Sequence, residues 1–374
     1  MGRWNSELTG LGLLTQDRRG DIVDAYWNLS WPFGSLSITP NGGKLVNLEF
    51  RDGRAAVATP LYEAPWLTET HKPDDPLLAD LRGEFSCLPF GGTYPKEELV
   101  GDWRCAVQGS TEAAQAASLD PTDKLLHGFC ASANWELVQQ TDTAVEIRVE
   151  YPAASAIESI SRLVWIEPEQ AKIYVSMTVC ARRRCKRPIG FHPNFALDGP
   201  AGSFTLNPGS YFVGVTHPGS PAPGVSRVAQ GKLFTSLSKV PLKDGGEIDL
   251  TQLPLKARTE EIVQLLGCSG NVSLRDKNRR VTYELAWDAR LLPSVLLWFS
   301  NGGRNQFPWN SRNLCLGIEP VAAAFDLGCV ASLSNNPING MGVATASWFT
   351  PGEPQIFTYE LTAKFPNVGE LVDH

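Results

Sequence analysis

Apolar and charged residues alternate without a fault along Val145-Glu146-Ile147-Arg148-Val149-Glu150-Tyr151. A period of two sends successive side chains to opposite faces of a strand, so this segment covers a core on one side and meets water or a polar layer on the other. The pattern returns more weakly in Ile173 to Val179 and in Thr358 to Phe365. Further strand candidates are Lys44 to Phe50, Trp135 to Gln139, Ser203 to Leu206, Tyr211 to Thr216, Val281 to Trp287, Val295 to Ser300 and Leu314 to Ile318. Turn clusters such as Asn41-Gly42-Gly43, Asp52-Gly53 and Asp244-Gly245-Gly246 divide them. Amphipathic stretches long enough for a helix of about a dozen residues are scarce. The chain therefore reads as all-β, an antiparallel sandwich or barrel. The apolar run Pro293 to Ser300 reads as a strand buried on both faces, which a two-layer sandwich of large sheets supplies.

At 374 residues with 43% hydrophobic side chains, the chain has the apolar content of a globular protein rather than a disordered one. Lys and Arg number 33 against 40 Asp and Glu, a formal charge of -7, so neither a nucleic acid nor an acidic membrane surface is an expected partner. No stretch reaches the roughly 18 to 20 uninterrupted apolar residues of a membrane span. The opening MGRWNSELTGLGLL lacks the apolar centre of a signal peptide, so none is expected. Gly2 and Ser6 have the bare spacing of a myristoylation motif, but bulky Arg3 and Trp4 make a poor example and we discount it. Eight Cys are scattered without C-x-x-C pairs or Cys/His clusters at metal spacing. Free thiols suit a reducing compartment, so a cytoplasmic location and no bound metal are expected.

The basic run Arg182-Arg183-Arg184-Cys185-Lys186-Arg187 reads as a solvated hairpin end, with phosphate binding as the alternative, and Pro218 to Gly224 as a surface loop rather than a domain linker. Residues 1–34 are expected to form a partly irregular N-terminal segment ahead of one β-sandwich domain, 35–374.

Five His make the search for an acid or base short. His374 is terminal, and His71 lies in the polar loop Thr68 to Asp75; both read as solvated. His217 precedes Pro218 and reads as structural or exposed. His127, in Leu125-Leu126-His127-Gly128-Phe129, has a Gly beside it that admits a ligand or a second backbone; the alternative is a core histidine bonded to a carbonyl. His192, in Gly190-Phe191-His192-Pro193-Asn194-Phe195, is held extended by the following Pro, as a general acid or as a strand cap. Glu319 ends the apolar strand Leu314 to Ile318, where desolvation raises a carboxyl pKa toward the useful range; the alternative is a salt bridge to Arg312. There is no G-x-S-x-G elbow, P-loop or G-x-G-x-x-G. Among eleven Trp, residues 66, 298 and 309 lie in or beside turns where an indole face can stack on a sugar ring.

Three anchors occur in order: Leu126-His127-Gly128 with Asn134-Trp135, then His192-Pro193-Asn194-Phe195-Ala196-Leu197, then Gly317-Ile318-Glu319-Pro320. Together with Ala64-Pro65-Trp66, Pro89-Phe90-Gly91, Glu247 to Leu255 and Leu297-Trp298, they resemble the aldose 1-epimerase (galactose mutarotase-like) superfamily over roughly residues 35 to 365. The resemblance implies a large antiparallel β-supersandwich, a small-molecule sugar substrate, interconversion of α and β anomers, and no cofactor. It makes His192 the acid at the ring oxygen and Glu319 the base at the anomeric hydroxyl, and we expect the two to face one another across a cleft. His127 would bind the sugar near the reacting centre, Trp298 or its neighbour Phe299 would wall the ring, and Trp66 is a further stacking candidate. Asn194 stands where many members carry an aromatic and would alter the pocket floor. No clear counterpart of the substrate-reading Asp of galactose-type members is found. Some relatives take phosphorylated hexoses through arginine clusters, for which Arg82, Arg304 and Arg312 are the candidates. A monomer or homodimer is expected. A non-catalytic sugar-binding protein and a polysaccharide lyase or hydrolase of related fold are the competing readings.

Overall fold

The computed structural model describes residues 26–366 except 110 and 118. The discounted Gly2/Ser6 motif and His374 lie outside the described residues. Two antiparallel sheets dominate. The first has eleven strands, and its central run in spatial order is Glu84–Cys87, Ile189–Ala196, Leu314–Ala322, Ser294–Asn301 and Thr259–Leu266. The second has nine, built around Val281–Trp287, Gln355–Lys364, Lys172–Ala181, Ile157–Ile166 and Ala144–Glu150. The described α-helices are short, of four to six residues. Trp27–Trp31 pairs with Gly34–Ile38 at the edge of the first sheet, so that sheet begins ahead of position 35. No helix among the described residues is long and apolar enough to cross a membrane.

Alternation decides what each face meets. Val145, Ile147 and Val149 are buried while Glu146, Arg148 and Glu150 point away from the core. Phe191 and Phe195 turn inward between the sheets, where their rings meet Tyr359 at 4.9 Å and Tyr283 at 6.1 Å on the second sheet. The even-numbered residues of the same strand, His192 among them, must then project from the outer face of the first sheet. That face is not solvated. Loops carrying Trp66, Trp103, Trp309 and Phe325 pack over it as a second apolar cluster, which is why Ser294–Asn301 and most of Leu314–Ala322 are buried on both sides.

Two features escape a binary reading. Arg162, on the second sheet, reaches across the core to Glu84 on the first (2.5 Å) and donates to the Gly43 carbonyl (2.6 Å), with both side chains wholly buried. In the basic run, Arg183 and Arg184 are exposed as expected, but Arg187 is buried against Asp123 (2.7 Å) and Asp120 (3.5 Å). A guanidinium taken out of water needs such carboxylates, so only the tip of that hairpin is solvated.

Candidate active site

Cross-strand register assembles the site. Gly190 pairs with Val321 and Asn194 with Gly317, which sets His192 opposite Glu319. On the other side His192 pairs with Phe85, and Glu319 pairs with Leu296. Phe85, His192, Glu319 and Leu296 thus form one row across four strands. Trp298 and Ile262, paired with each other, stand in the next row of the same face. All six line a cavity of about 280 Å³, together with Leu77, Leu78, Leu81, Leu126, His127, Arg304, Trp309 and Asp326.

The loops over the sheet are laced by backbone contacts. His127 N–H donates to the Gly91 carbonyl (2.7 Å), and Gly92 N–H donates to the Asp326 carbonyl (2.9 Å). Gly128 has φ 82° and lies so close to Leu88 that a Cβ there would overlap its carbonyl. Here the Gly beside His127 serves the approach of a second backbone. His127 itself sits at φ 55°, in the left-handed region that few non-glycine residues occupy. Its Nδ1 accepts from Gly91 N–H (3.4 Å), which leaves Nε2 to carry the proton in the neutral ring. Burial pushes its pKa down to about 4, so the ring is a neutral donor.

His192 Nε2 lies 3.4 Å from Glu319 Oε1, without the alignment of a hydrogen bond, and His192 Nδ1 and Glu319 Oε1 are buried without a partner. Phe85 stacks on the imidazole (4.6 Å, 21°), and His127 meets it edge-on (4.8 Å, 88°). Burial, followed by the neighbouring His127 ring, holds the His192 pKa well below its ordinary value. Burial, followed by the charge of Asp326, drives that of Glu319 well above the carboxylate range. Burial thus favours the neutral form of both groups, with the proton on Glu319 rather than on His192. Gly317 makes room for this carboxylate, since a Cβ there would fall on Oε1 of Glu319.

The apolar wall is Trp298; its indole N–H donates to Glu260 Oε1 (2.6 Å), whose other oxygen accepts from Ser300 (2.9 Å). Phe299 faces the opposite way, into the core between the sheets. Trp309 also lines the cavity, edge-on to Trp298 (6.2 Å). Trp66 lies one layer behind: fully buried, it packs on Trp309 (5.0 Å) and donates to the Leu78 carbonyl (2.7 Å). Asn194 does not form the pocket floor, because its amide is spent inside the sheet on the Gly83 (3.0 Å) and His192 (3.1 Å) carbonyls. Arg312 lies outside the cavity and pairs with Glu69, so it is neither a ligand reader there nor the partner of Glu319. The arginines do not converge. Arg82 pairs with Asp80 (2.8 Å), while Arg304 alone of the three reaches the cavity, stacked on Trp309 (4.5 Å) and paired with Glu260 (3.2 Å). Sequence reasoning missed Asp326 and its pairing with His217, which the sequence alone reads as structural or exposed. His217 is structural but tied to the site, and nothing local in Phe325-Asp326-Leu327 signals the pair.

No family model matches the chain, and no curated protein sequence matches it. Solved structures do. A galactose mutarotase-like protein from Clostridium acetobutylicum superposes with a TM-score of 0.55 at 14% identity, over 91% of this chain and 95% of that one. One from Lactobacillus casei does so at 0.55 and 12% identity, over 91% and 100%. A homologue of aldose epimerase from C. elegans gives 0.57 at 13% identity, over 91% and 99%. The chain has the galactose mutarotase-like β-sandwich fold, as the ordered motifs led us to expect.

Proposed function

We propose that the protein is a mutarotase that interconverts the α and β anomers of an aldose, with His192 and Glu319 as its acid and base. The observation that carries this reading is the pair itself: two titratable groups directly opposite one another in a buried cavity, their pKa values pushed in opposite directions. Ring opening needs one group to take the proton of the anomeric hydroxyl and another to protonate the ring oxygen as the bond from C1 to that oxygen breaks. The C1 oxygen becomes the aldehyde oxygen, and the bonding pair passes to the ring oxygen. Rotation about C1–C2 presents the other carbonyl face, and reclosure returns both protons.

The pair needs one mobile proton in total. With His192 as the imidazolium acid and Glu319 as the carboxylate base, ring opening leaves both neutral, which is the state that burial favours. Desolvation thus strengthens the acid and the base for the same step. Neutral His127, with Nε2–H toward the cavity, serves as a donor to a sugar oxygen, and Trp298 as the wall against the ring. The size of the cavity supports a single sugar ring rather than the long groove of a lyase or hydrolase.

Polarimetry of freshly dissolved α-glucose and α-galactose tests the reading. Wild-type protein is expected to accelerate the approach to anomeric equilibrium. His192→Asn and Glu319→Gln are each expected to lower that acceleration about 10²- to 10⁴-fold, the usual contribution of a positioned acid or base. Sugar binding with no acceleration would overturn the reading in favour of a non-catalytic binding protein.

A further inference from the structure

Asp326 lines the cavity on the loop that follows Leu314–Ala322, and several independent contacts fix it there. Phe325, the residue before it, takes φ 51°, an outlier conformation for a bulky side chain, and its N–H is held by Gln264 Oε1 (2.7 Å). The Asp326 carbonyl accepts from Gly92, and Gly91 presses so closely on that peptide that a Cβ there would lie 2.6 Å from the oxygen. The side chain is held by His217, whose Nε2 lies 2.8 Å from Oδ1.

The state of His217 is set by its surroundings. Its Nδ1 accepts from Gly219 N–H (3.0 Å) and so carries no proton, which places the proton on Nε2 and makes Asp326 the acceptor. The imidazole is wedged between Tyr94 (5.3 Å) and Phe325 (5.2 Å), with its side chain only 2% exposed. The carboxylate, by contrast, is 29% exposed, and His217 occupies only one of its oxygens. Burial works against the charge, but His217 beside it holds the carboxyl below its ordinary range. A sugar hydroxyl entering the cavity thus meets a charged acceptor held in place before it arrives.

Asp326 also decides what the cavity repels. Arg304, the cation at this wall, is paired with Glu260 at 3.2 Å, while Asp326 presents a carboxylate that His217 occupies on one oxygen only. A ligand carrying a phosphate or carboxylate would be desolvated beside a fixed negative charge.

From this geometry we propose that Asp326, held by His217, is a specificity-determining residue that binds a hydroxyl of an uncharged aldose and excludes anionic sugars. The inference deepens the mutarotase reading and rests on it for the class of ligand, but its test is separable. The experiment is ligand-observed NMR titration of free aldoses, their 6-phosphates and the monodeoxy series against wild type, Asp326→Asn and His217→Gln, with anomer exchange recorded on the same samples. Free aldose is expected to bind wild type at least tenfold more tightly than its 6-phosphate, and Asp326→Asn is expected to lose roughly ten- to hundredfold in affinity for it. One deoxy sugar, lacking the hydroxyl that Asp326 reads, is expected to bind wild type weakly and to be indifferent to Asp326→Asn, a coupling that a merely structural role would not produce. His217→Gln is expected to give a smaller loss of the same pattern. Equal or tighter binding of the 6-phosphates, or a deoxy series that shows no coupling to Asp326→Asn, overturns the inference. If Asp326→Asn fails to fold, the deoxy series and phosphate comparison on wild type and His217→Gln still decide it. Binding of this pattern without anomer exchange supports the inference and overturns the catalytic reading; no binding of any aldose overturns both.

Discussion

His192 and Glu319 are cross-strand neighbours in the middle of the larger sheet, with Nε2 and Oε1 3.4 Å apart and both side chains lining one cavity. One proton divided between two buried groups gives a distinctive pH dependence. In the proposed mechanism the productive form carries one proton on the pair. A second is added only on an acid limb set by His192, which lies below that residue's ordinary 6.5. The single proton is lost only on an alkaline limb set by Glu319, which lies above that residue's ordinary 4.5. The expected kcat/KM profile is therefore a bell whose acid limb lies below 6.5 and whose alkaline limb lies above 4.5, and Asp326→Asn, which removes a charge that raises the Glu319 pKa, is expected to move the alkaline limb to lower pH.

Holding Glu319 protonated costs stability. Above about pH 4.5 the unfolded chain releases this proton while the folded one keeps it, so the folded state is progressively disfavoured as pH rises. Glu319→Gln removes the penalty. It is expected to raise stability at pH 7 by about 1 kcal/mol, within the range of single stabilising substitutions, and the gain is expected to vanish as pH falls toward 4.5. Thermal melts across that range read the effect.

Gly317 is required by the carboxylate it faces. Gly317→Ala is expected to displace Glu319 and to lower kcat at least tenfold, because the added methyl would fall on Glu319 Oε1 and also crowd Cβ of Trp298 at 3.1 Å. A kcat equal to wild type would show that Glu319 tolerates the shift.

The buried Arg162–Glu84 pair ties the two sheets together beneath the site. Arg162→Met strands the Glu84 carboxylate and is expected to cost about 3 to 5 kcal/mol in denaturant unfolding at pH 7. Adding Glu84→Gln in the same chain is expected to recover most of the loss, since the stranded charge is then gone.

The fold was legible because alternation survives in the strands that face the inter-sheet core, as in Val145 to Tyr151, and because the doubly buried run at Ser294–Asn301 has no polar face to interrupt. His192 and Glu319 stood out in the sequence as titratable residues beside proline in largely apolar strands, and the resemblance singled out the same two. Asn194, Trp66 and Arg312 are sequence neighbours of site elements, and sequence cannot tell one strand row or one packing layer from the next: Asn194 spends its amide on backbone, Trp66 lies behind Trp309, and Arg312 finds Glu69. Asp326 and His217 stand 109 residues apart in loops without a period, and nothing local in the sequence pairs Arg162 with Glu84. Only tertiary register brings such partners together.

The most direct test of the account is exchange between the α and β anomeric signals of an aldose at equilibrium, followed by NMR across free and 6-phosphorylated sugars with wild type, His192→Asn and Glu319→Gln. The account predicts accelerated exchange of a free aldose by wild type and its loss in both variants. Exchange that persists undiminished in either variant would contradict the assignment of that pair as the acid and base.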